Sequence, residues 1–204
     1  MTDFLYNGPK TADKTVVLAH GAGAAMDSEF MEFFAAGLAE KGLRVARFEF
    51  PYMVRRREDG KRRPPDRAPV LLETYLAIAA ELGPENLVVG GKSMGGRVAS
   101  MIADEAGVAG LVCLGYPFHP PGKPEKLRTA HLADLKTPAM ILQGERDPFG
   151  KRDEVAGYRL SKSIDVDFLP DGDHDLKPRK ASGRTRAENW ADAVHRMAAF
   201  IGGL

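Results

Sequence analysis

The chain has 204 residues, of which 44% are hydrophobic and 28% charged, a balance typical of a packed globular protein and unlike disordered or collagen-like chains. The 29 basic and 28 acidic residues leave a formal net charge of +1, so we expect no nucleic acid among its partners. Cys113 is the only cysteine, which excludes an internal disulfide and favours a reducing compartment.

The sequence shows no pattern of a secretory or membrane-spanning segment. Residues 1–8 have neither a basic head nor an apolar run of signal-peptide length, and no apolar run approaches the ~18 residues of a membrane span. We therefore expect a cytoplasmic protein with no membrane among its partners.

Short apolar runs alternate with helix-period segments from Thr15 to the C-terminus. This alternation is typical of a parallel sheet covered by helices. Because the runs are apolar on both faces, the sheet is expected to be buried on both sides. The predicted strands are Thr15–Ala19, Arg44–Phe48, Leu87–Gly90, Gly110–Gly115, Ala139–Gly144 and Asp165–Leu169.

Between the strands, apolar residues recur with the spacing of one helix face. Such stripes begin at Phe30, at Leu71 and after Ser93, and a last helix is predicted over residues 185–201. Trp190 lies on the apolar side of this last helix. We expect it in the core, because large apolar side chains are usually buried.

Two segments interrupt the alternation. Pro51–Arg67 combines prolines with many basic residues, and Tyr116–Pro124 contains four prolines. Proline removes a backbone donor, so we predict that both segments are loops. With no internal repeat and no long linker, residues 1–204 are predicted to form one domain.

The segment Gly91–Gly95 matches G-x-S-x-G between a predicted strand and a predicted helix. A serine on a sharp strand-to-helix turn needs small residues two positions to either side, and Gly91 and Gly95 occupy those positions. Such a turn would project the Ser93 hydroxyl over the sheet edge. It would also place the Met94 amide at the start of the helix, where a developing oxyanion is stabilised.

The glycines near 91 and near 21 allow two rival interpretations. A phosphate-binding P-loop would require a glycine at position 86, which is Asn86. A dinucleotide-binding turn could use Gly21 and Gly23 with Glu49 as the ribose ligand, but the third small residue would be Met26. The first interpretation fails on spacing, and the second remains a weaker alternative.

A serine hydroxyl becomes a nucleophile when an imidazole takes its proton and a carboxylate orients that imidazole. Asp147 follows the strand Ala139–Gly144, and His174 follows the strand Asp165–Leu169. The carboxyl ends of parallel strands share one edge of a sheet, so Ser93, Asp147 and His174 are predicted to converge there. Their order along the chain is that of one known hydrolase arrangement.

Other side chains compete for these roles. Among the histidines, His131 precedes a short helix-like stretch and His195 lies in the last predicted helix, whereas His119 in the proline-rich loop could line the pocket. Glu145 and Asp153 compete for the role of the acid. Asp147 is preferred because it lies a few residues past the strand end, within reach of an imidazole.

On these residues the sequence resembles the α/β-hydrolase superfamily in its compact, lidless branch, from Thr15 to the final helix. The resemblance implies one α/β domain, with a mostly parallel sheet of about six to seven strands and helices on both faces. It also implies an oxyanion hole from the amides of Met94 and Ala22, with Gly23 as the second choice. His20 is expected to shape this loop and not to act as a base. Only Tyr116–Pro138 is available where larger members carry a cap, so no cap domain is expected.

The basic residues near the predicted catalytic edge have two interpretations. They are a solvated surface, or they recognise an anionic substrate or partner through the planar guanidinium fork. The candidates for substrate binding are Arg56, Arg57, Arg62, Arg63 and His119. No metal-binding spacing appears, and the predicted chemistry requires no cofactor.

The sequence thus predicts a serine hydrolase that cleaves a carboxylic ester or a related acyl bond of a small-molecule substrate, which could be anionic. A non-catalytic binding protein on the same scaffold is the alternative from another class, because a fold does not guarantee activity. A dinucleotide-binding oxidoreductase is the third interpretation. The sequence leaves the acyl group, the leaving group and the oligomeric state open.

Overall fold

The structure, a computed structural model, describes residues 3–204. Seven strands form one sheet in the order β1-β3-β2-β4-β5-β6-β7, in which β1 pairs antiparallel with β3 and every other pair is parallel. All six predicted strands are present, and β1 adds an edge strand. The strands are β1 (Leu5–Asn7), β2 (Thr15–Ala19), β3 (Arg44–Phe48), β4 (Leu87–Lys92), β5 (Gly110–Leu114), β6 (Ala139–Gly144) and β7 (Ile164–Leu169).

Six α-helices connect the strands. Helices α1 and α6 pack together on one face of the sheet, and α3 and α4 pack together on the other. The helices are α1 (Glu29–Glu40), α2 (Pro51–Asp59), α3 (Ala68–Leu82), α4 (Met94–Ala106), α5 (Arg152–Val155) and α6 (Arg186–Gly202), with 3-10 turns at Pro84–Asn86, Ala130–Asp134 and Lys180–Ser182.

Each face of the sheet carries its own apolar core. On the α1/α6 face, Trp190 is 4% exposed and packs edge-on against Phe30 and Phe33, which confirms its predicted core position. On the α3/α4 face, the hydroxyl of buried Tyr75 bonds the carbonyl groups of Val17 and Gly90. Both faces of β2 and β4 are therefore covered, which explains the continuous apolar character of these strands.

The prediction that Pro51–Arg67 is a loop throughout is wrong, because its first half forms α2. Proline is tolerated in the first turn of a helix, where its missing N–H has no helical acceptor, and Pro51 stands there. Tyr52 and Met53 are buried and anchor the helix to the core. Gly60, with a left-handed φ of 71°, ends it.

The connection between β5 and β6 is short and mostly irregular. Tyr116–Pro124 contains no helix or strand, as predicted, and the 3-10 turn Ala130–Asp134 is the regular structure between it and β6. No cap domain covers the sheet edge at this point. Within residues 3–204, no helix is long and apolar enough to cross a membrane.

Candidate active site

Ser93 occupies a strained turn between β4 and α4. Its φ of 52° and ψ of −114° lie in a region that non-glycine residues rarely adopt. A Cβ atom on Gly91 or on Gly95 would overlap the carbonyl oxygen of Ala19 at the end of β2. Both glycines are therefore required for close backbone approach, as the motif predicts.

The structure brings Ser93, His174 and Asp147 into one hydrogen-bonded chain. The Nε2 atom of His174 lies 2.8 Å from the Oγ atom of Ser93, and its Nδ1 atom lies 2.8 Å from Oδ2 of Asp147. With Nδ1–H donating to the carboxylate, Nε2 is free to accept the serine proton. This is the geometry that general-base activation of a hydroxyl requires.

Asp147 is fully buried and held by further donors. The side chain of Gln143 donates to Oδ2 at 2.9 Å, and the amide of Phe149 donates to Oδ1 at 2.9 Å. Gln143 is itself fixed, because it accepts from the Tyr116 amide at 2.7 Å and donates to the Tyr116 carbonyl at 3.1 Å. These bonds compensate the burial of the carboxylate and fix its orientation.

The loop that carries His174 is held from two sides. The indole of Trp190 donates to the carbonyl of Asp175 at 2.8 Å, and the side-chain amide of Asn189 donates to the carbonyl of Leu176 at 2.9 Å. On the other side, the ring of Phe149 lies 4.3 Å from the imidazole ring of His174. The start of α6 and the turn after β6 thus position the imidazole together.

Lys92 directly precedes Ser93 and is buried beside this loop, with 8% of its surface exposed. Its ammonium lies 2.5 Å from the carbonyl oxygen of His174 and 3.2 Å from a carboxylate oxygen of Asp175. The ring of Phe30 is 5.3 Å away. Burial lowers the pKa of Lys92, and the nearby Asp175 opposes that shift.

The loop after β2 is arranged to present backbone amides. His20 Nδ1 lies 2.7 Å from the Gly21 carbonyl, and the hydroxyl of Tyr52 donates to the Ala22 carbonyl at 3.1 Å. In a trans peptide the N–H points away from the preceding C=O. The amides of Ala22 and Gly23 therefore point away from His20 and Tyr52, and Ala22 and Gly23 both line the cleft beside Ser93.

His20 is not available as a base. It is fully buried, and its Nε2 atom accepts from the amide of Phe50 at 3.2 Å, so both ring nitrogens are engaged. Burial lowers its pKa. The imidazole therefore stays neutral and shapes the loop, as the sequence predicts.

Three amides at the site are free to bind an oxyanion. Within residues 3–204 the amides of Ala22, Gly23 and Met94 donate to no protein acceptor. Met94 is the first residue of α4, where the helix dipole adds positive potential. The arrangement can thus stabilise negative charge next to the Ser93 hydroxyl.

A cleft of about 530 Å³ opens beside Ser93, and we call it the Ser93 cleft. Its walls come from the loop after β2, from α1, from the His174 loop and from the start of α6. Its apolar lining residues include Phe30 and the nearly buried Met31 and Trp190. The remaining lining residues are Gly21, Ala22, Gly23, Ala24, Ser28, Glu29, Lys92, Ser93, His174, Asp175, Lys177 and Arg186.

The four arginines expected to bind substrate do not line this cleft. Arg57 pairs with Asp27 and Glu49, and Arg63 pairs with Asp59. Arg56 lies 3.3 Å from the carbonyl of Gly23, on the back of the amide-bearing loop, and Arg62 is exposed. Opposite charges thus hold Arg57 and Arg63, whereas Arg56 and Arg62 form no ion pair within residues 3–204.

His119 lies outside the cleft lining as well. It is 2% exposed, its Nδ1 atom is 2.9 Å from the carbonyl of Pro120, and its Nε2 atom is 3.5 Å from Glu154. Of the competing histidines, His131 bonds Ser100 at 2.9 Å and His195 is exposed on α6. Neither contacts Ser93.

The acids that compete with Asp147 have other partners or face solvent. Glu145 accepts from the amide of Asp171 at 2.8 Å and pairs with Arg152. Asp153 is exposed on α5. Cys113 is buried in the middle of β5, and burial raises the pKa of its thiol.

The dinucleotide interpretation finds little support in the geometry. Glu49, the candidate ribose ligand, is buried and already accepts from Arg57 and from the amide of Met26. Residues 3–204 bring no group of three His, Cys, Asp or Glu side chains together in a way that could hold a metal ion.

Sequence reasoning missed two polar residues that support this site. Gln143 and Lys92 both lie in strands that are otherwise apolar, and both are buried. A polar side chain in an apolar strand needs a specific partner, because an unpaired buried polar group is costly. That signal identifies the residues, but only the folded chain shows their partners.

Fold and site together define the class as an α/β hydrolase. The alpha/beta hydrolase domain family matches residues 12–202, so the chain belongs to this family. The lidless branch inferred from the short β5–β6 connection agrees with the similar structures described next.

Several solved structures share the fold. An alpha-beta serine hydrolase homologue from Coxiella burnetii matches with a TM-score of 0.72 at 16% identity, over 98% of this chain and 90% of its own. A serine hydrolase without lid from Xanthomonas campestris matches with 0.72 at 18%, over 95% and 86%. Dienelactone hydrolase from Anabaena variabilis matches with 0.75 at 20%, over 98% and 90%. Membership of the family supports hydrolase activity, and these structures show the shared fold.

Proposed function

We propose that the protein is a serine hydrolase that cleaves a carboxylic ester or a related acyl bond of a small molecule through an acyl-enzyme intermediate. The observation that carries this proposal is the continuous chain from Ser93 Oγ to His174 Nε2 and from His174 Nδ1 to Asp147, with both distances at 2.8 Å. The free amides of Met94 and Ala22 and the open cleft beside Ser93 also support the proposal.

Acylation begins when the Ser93 oxygen attacks the carbonyl carbon and His174 Nε2 takes the hydroxyl proton. The charge that develops on the carbonyl oxygen is bound by the amides of Met94 and Ala22. The bond to the leaving group then breaks, and the imidazolium of His174 gives the leaving oxygen the same proton. Asp147 keeps the imidazole in the required tautomer and stabilises its charged form.

Deacylation repeats the steps with water as the nucleophile. His174 Nε2 takes a proton from the water as its oxygen attacks the acyl carbon, and the same amides bind the second oxyanion. The ester bond to Ser93 breaks, and the serine oxygen recovers its proton from His174. The free acid leaves, and the site returns to its starting state.

The Ser93 cleft fits an acyl or leaving group with an apolar body. Phe30, with the nearly buried Met31 and Trp190, lines the same cleft as Ser93, and burial of apolar surface contributes ~25 cal/mol per Å². The exposed rim is charged. We therefore expect esters with an aliphatic or aromatic group to be better substrates than very small esters.

The test is activity-based labelling combined with an ester panel. Wild-type protein should react with a fluorophosphonate and hydrolyse nitrophenyl esters, and Ser93→Ala should do neither while unfolding at the same urea concentration. Labelling at another residue, or full activity in Ser93→Ala, would overturn the proposal. Absence of both reactions in wild-type protein would instead favour a binding protein on this scaffold.

A further inference from the structure

Arg97 and Arg128 lie half-buried without an acidic partner, on the α3/α4 side of the sheet edge. We call them the arginine pair. The Nε atom of Arg97 is buried and has no hydrogen-bond partner in residues 3–204. Arg47 and Arg196, by contrast, face carboxylates: Arg47 faces Glu32 and Arg196 faces Asp167.

The polar groups around the arginine pair satisfy one another. The hydroxyl of Ser100 donates to the carbonyl of Arg97 at 2.7 Å and lies 2.9 Å from His131 Nε2. The hydroxyl of Tyr116 lies 3.3 Å from Ser100 and 3.4 Å from the carbonyl of Arg128. These contacts fix the backbone beneath the pair and leave the guanidinium N–H groups without an internal acceptor.

The positive charges of the cluster are not balanced by an acidic side chain within residues 3–204. Burial, and then repulsion from Arg97, lower the pKa of Arg128. Burial, and then the charge of Arg97, lower the pKa of His131 to about 4, so this imidazole is neutral near pH 7 and adds no charge. No carboxylate acts on either group. Two like charges brought together and partly desolvated destabilise the free protein.

The main chain of Arg97 lies next to that of Ser93. The amide of Arg97 donates to the carbonyl of Ser93 at 3.0 Å, one helical turn along α4. Four residues of helix span about 6 Å, and helical side chains lean towards the N-terminus, which here is the Ser93 end. Tyr116, whose hydroxyl bonds the Arg128 carbonyl, follows Gly115, where an added Cβ atom would come within 2.7 Å of the His174 carbonyl oxygen.

We propose that Arg97 and Arg128 form an anion subsite that binds a carboxylate or phosphate group of the substrate, on the opposite side of Ser93 from the apolar cleft. This inference rests on the proposed hydrolase function and names its substrate class. The substrate is then an ester with an apolar group on one side of the scissile bond and a carboxylate or phosphate group on the other.

The chemistry of arginine suits this role. Each guanidinium offers parallel N–H donors that match two oxygens of a carboxylate or phosphate. Bonds between charged groups are stronger than neutral ones, and here the anion would also relieve the repulsion within the pair. The two guanidinium charges favour phosphate at least as well as carboxylate, so both oxyanions enter the test.

The kinetic test uses three matched esters that differ only in a terminal methyl, carboxylate or phosphate group. For wild-type protein we expect kcat/KM to be higher for an anionic ester than for the neutral one. In Arg97→Gln and Arg128→Gln, that ratio should fall about 10- to 100-fold, and lysine at either position should restore part of it. Arg62→Gln, an exposed control, should keep the wild-type ratio. Wild-type ratios in both variants would overturn the subsite.

A binding test separates this inference from the hydrolase proposal. Inorganic phosphate or succinate should raise the melting temperature of wild type and of Ser93→Ala, and should not raise that of Arg128→Gln. Without added anion, Arg128→Gln should melt at or above the wild-type temperature, because it loses a repulsive partner. If these anions stabilise Arg128→Gln as much as wild type, the subsite is wrong, whether or not the protein hydrolyses esters.

Discussion

The ammonium of Lys92 lies 2.5 Å from the carbonyl oxygen of His174, so the residue before Ser93 binds the main chain of the residue whose imidazole bonds the Ser93 hydroxyl. The contact joins β4 to the His174 loop across 82 positions of sequence. Asp175, the next residue in the loop, faces the same ammonium at 3.2 Å. Lys92 thus holds the His174 loop in position relative to Ser93.

Replacing Lys92 tests this positioning. Lys92→Met keeps the length of the side chain and removes the bonds to His174 and Asp175, so the loop should shift relative to Ser93. Misplacement of a reacting group by ~1 Å costs up to about 100-fold. We expect kcat for a neutral nitrophenyl ester and the fluorophosphonate labelling rate to fall together. Lys180→Met, an exposed lysine just beyond the loop, is the control and should change neither.

The buried ammonium also predicts a pH dependence of stability. Because the pKa of Lys92 is lowered in the folded state, the unfolded chain binds more protons between that lowered pKa and the ~10.4 of a free lysine. The free energy of unfolding should therefore rise with pH in this interval. Urea unfolding at about pH 7.5 and about pH 9.5 should show a larger gain for wild type than for Lys92→Met. Equal gains would contradict the assignment.

The hydrogen-bonded chain through His174 predicts non-additive effects. Ser93→Ala and His174→Ala should each lower kcat by roughly 10³-fold or more, and the double variant should be little worse than either. Asp147→Asn should lose most activity because the imidazole is held in the wrong tautomer. Multiplicative losses in the double variant would show that the two residues do not act as one unit.

Much of the site was predictable because its residues follow strand ends. The apolar runs place Ser93, Asp147 and His174 after β4, β6 and β7, and parallel strands bring those ends to one edge. The glycines at 91 and 95 were predictable from the backbone turn alone. These inferences depend only on local pattern and on the geometry of parallel sheets.

The rest depended on contacts between distant segments. Gln143 supports Asp147 by also bonding Tyr116, 27 positions away, and no local pattern encodes that pairing. The arginines of Pro51–Arg67 were expected at the cleft because they follow β3, but α2 starts at once and its charges pair with Asp27 and Glu49. Charge composition showed that the segment is basic, and only the fold showed which charges are compensated.

The glycines at the Ser93 turn, Gly91 and Gly95, predict that their replacement lowers both stability and activity. A methyl group at Gly91 or Gly95 would overlap the carbonyl of Ala19, so Gly91→Ala and Gly95→Ala should each destabilise by about 1–3 kcal/mol. Gly202→Ala is the control, because a Cβ atom at Gly202 meets no atom within 4 Å. Urea unfolding measures all three. If both the Gly91 and the Gly95 variant unfold with the same free energy as Gly202→Ala, Ser93 lies in an ordinary loop.

Support of Asp147 by Gln143 predicts a combined defect. Gln143→Leu is close in size but leaves the amide of Tyr116 without its 2.7 Å acceptor and removes the 2.9 Å donor to Asp147. Unpaired buried polar groups cost about 1–3 kcal/mol each. We expect lower unfolding free energy and lower kcat, while KM for a neutral ester changes little. An unchanged kcat would show that the Phe149 amide alone suffices to orient the carboxylate.

The paired arginines of α2 and of the segment after it should matter for stability and not for substrate choice. Arg57 lies 2.7 Å from Glu49, a carboxylate whose side chain is only 3% exposed. Arg57→Gln would leave that charge with the Met26 amide as its donor, so we expect a loss of about 1–3 kcal/mol. Arg62→Gln, at an exposed position, should stay within about 0.5 kcal/mol of wild type. Neither variant should alter the ratio of kcat/KM between carboxylated and neutral esters, at low or at high salt. A salt-dependent ratio that collapses in Arg57→Gln would place substrate recognition in α2, because exposed charges act beyond about 8–10 Å only at low ionic strength.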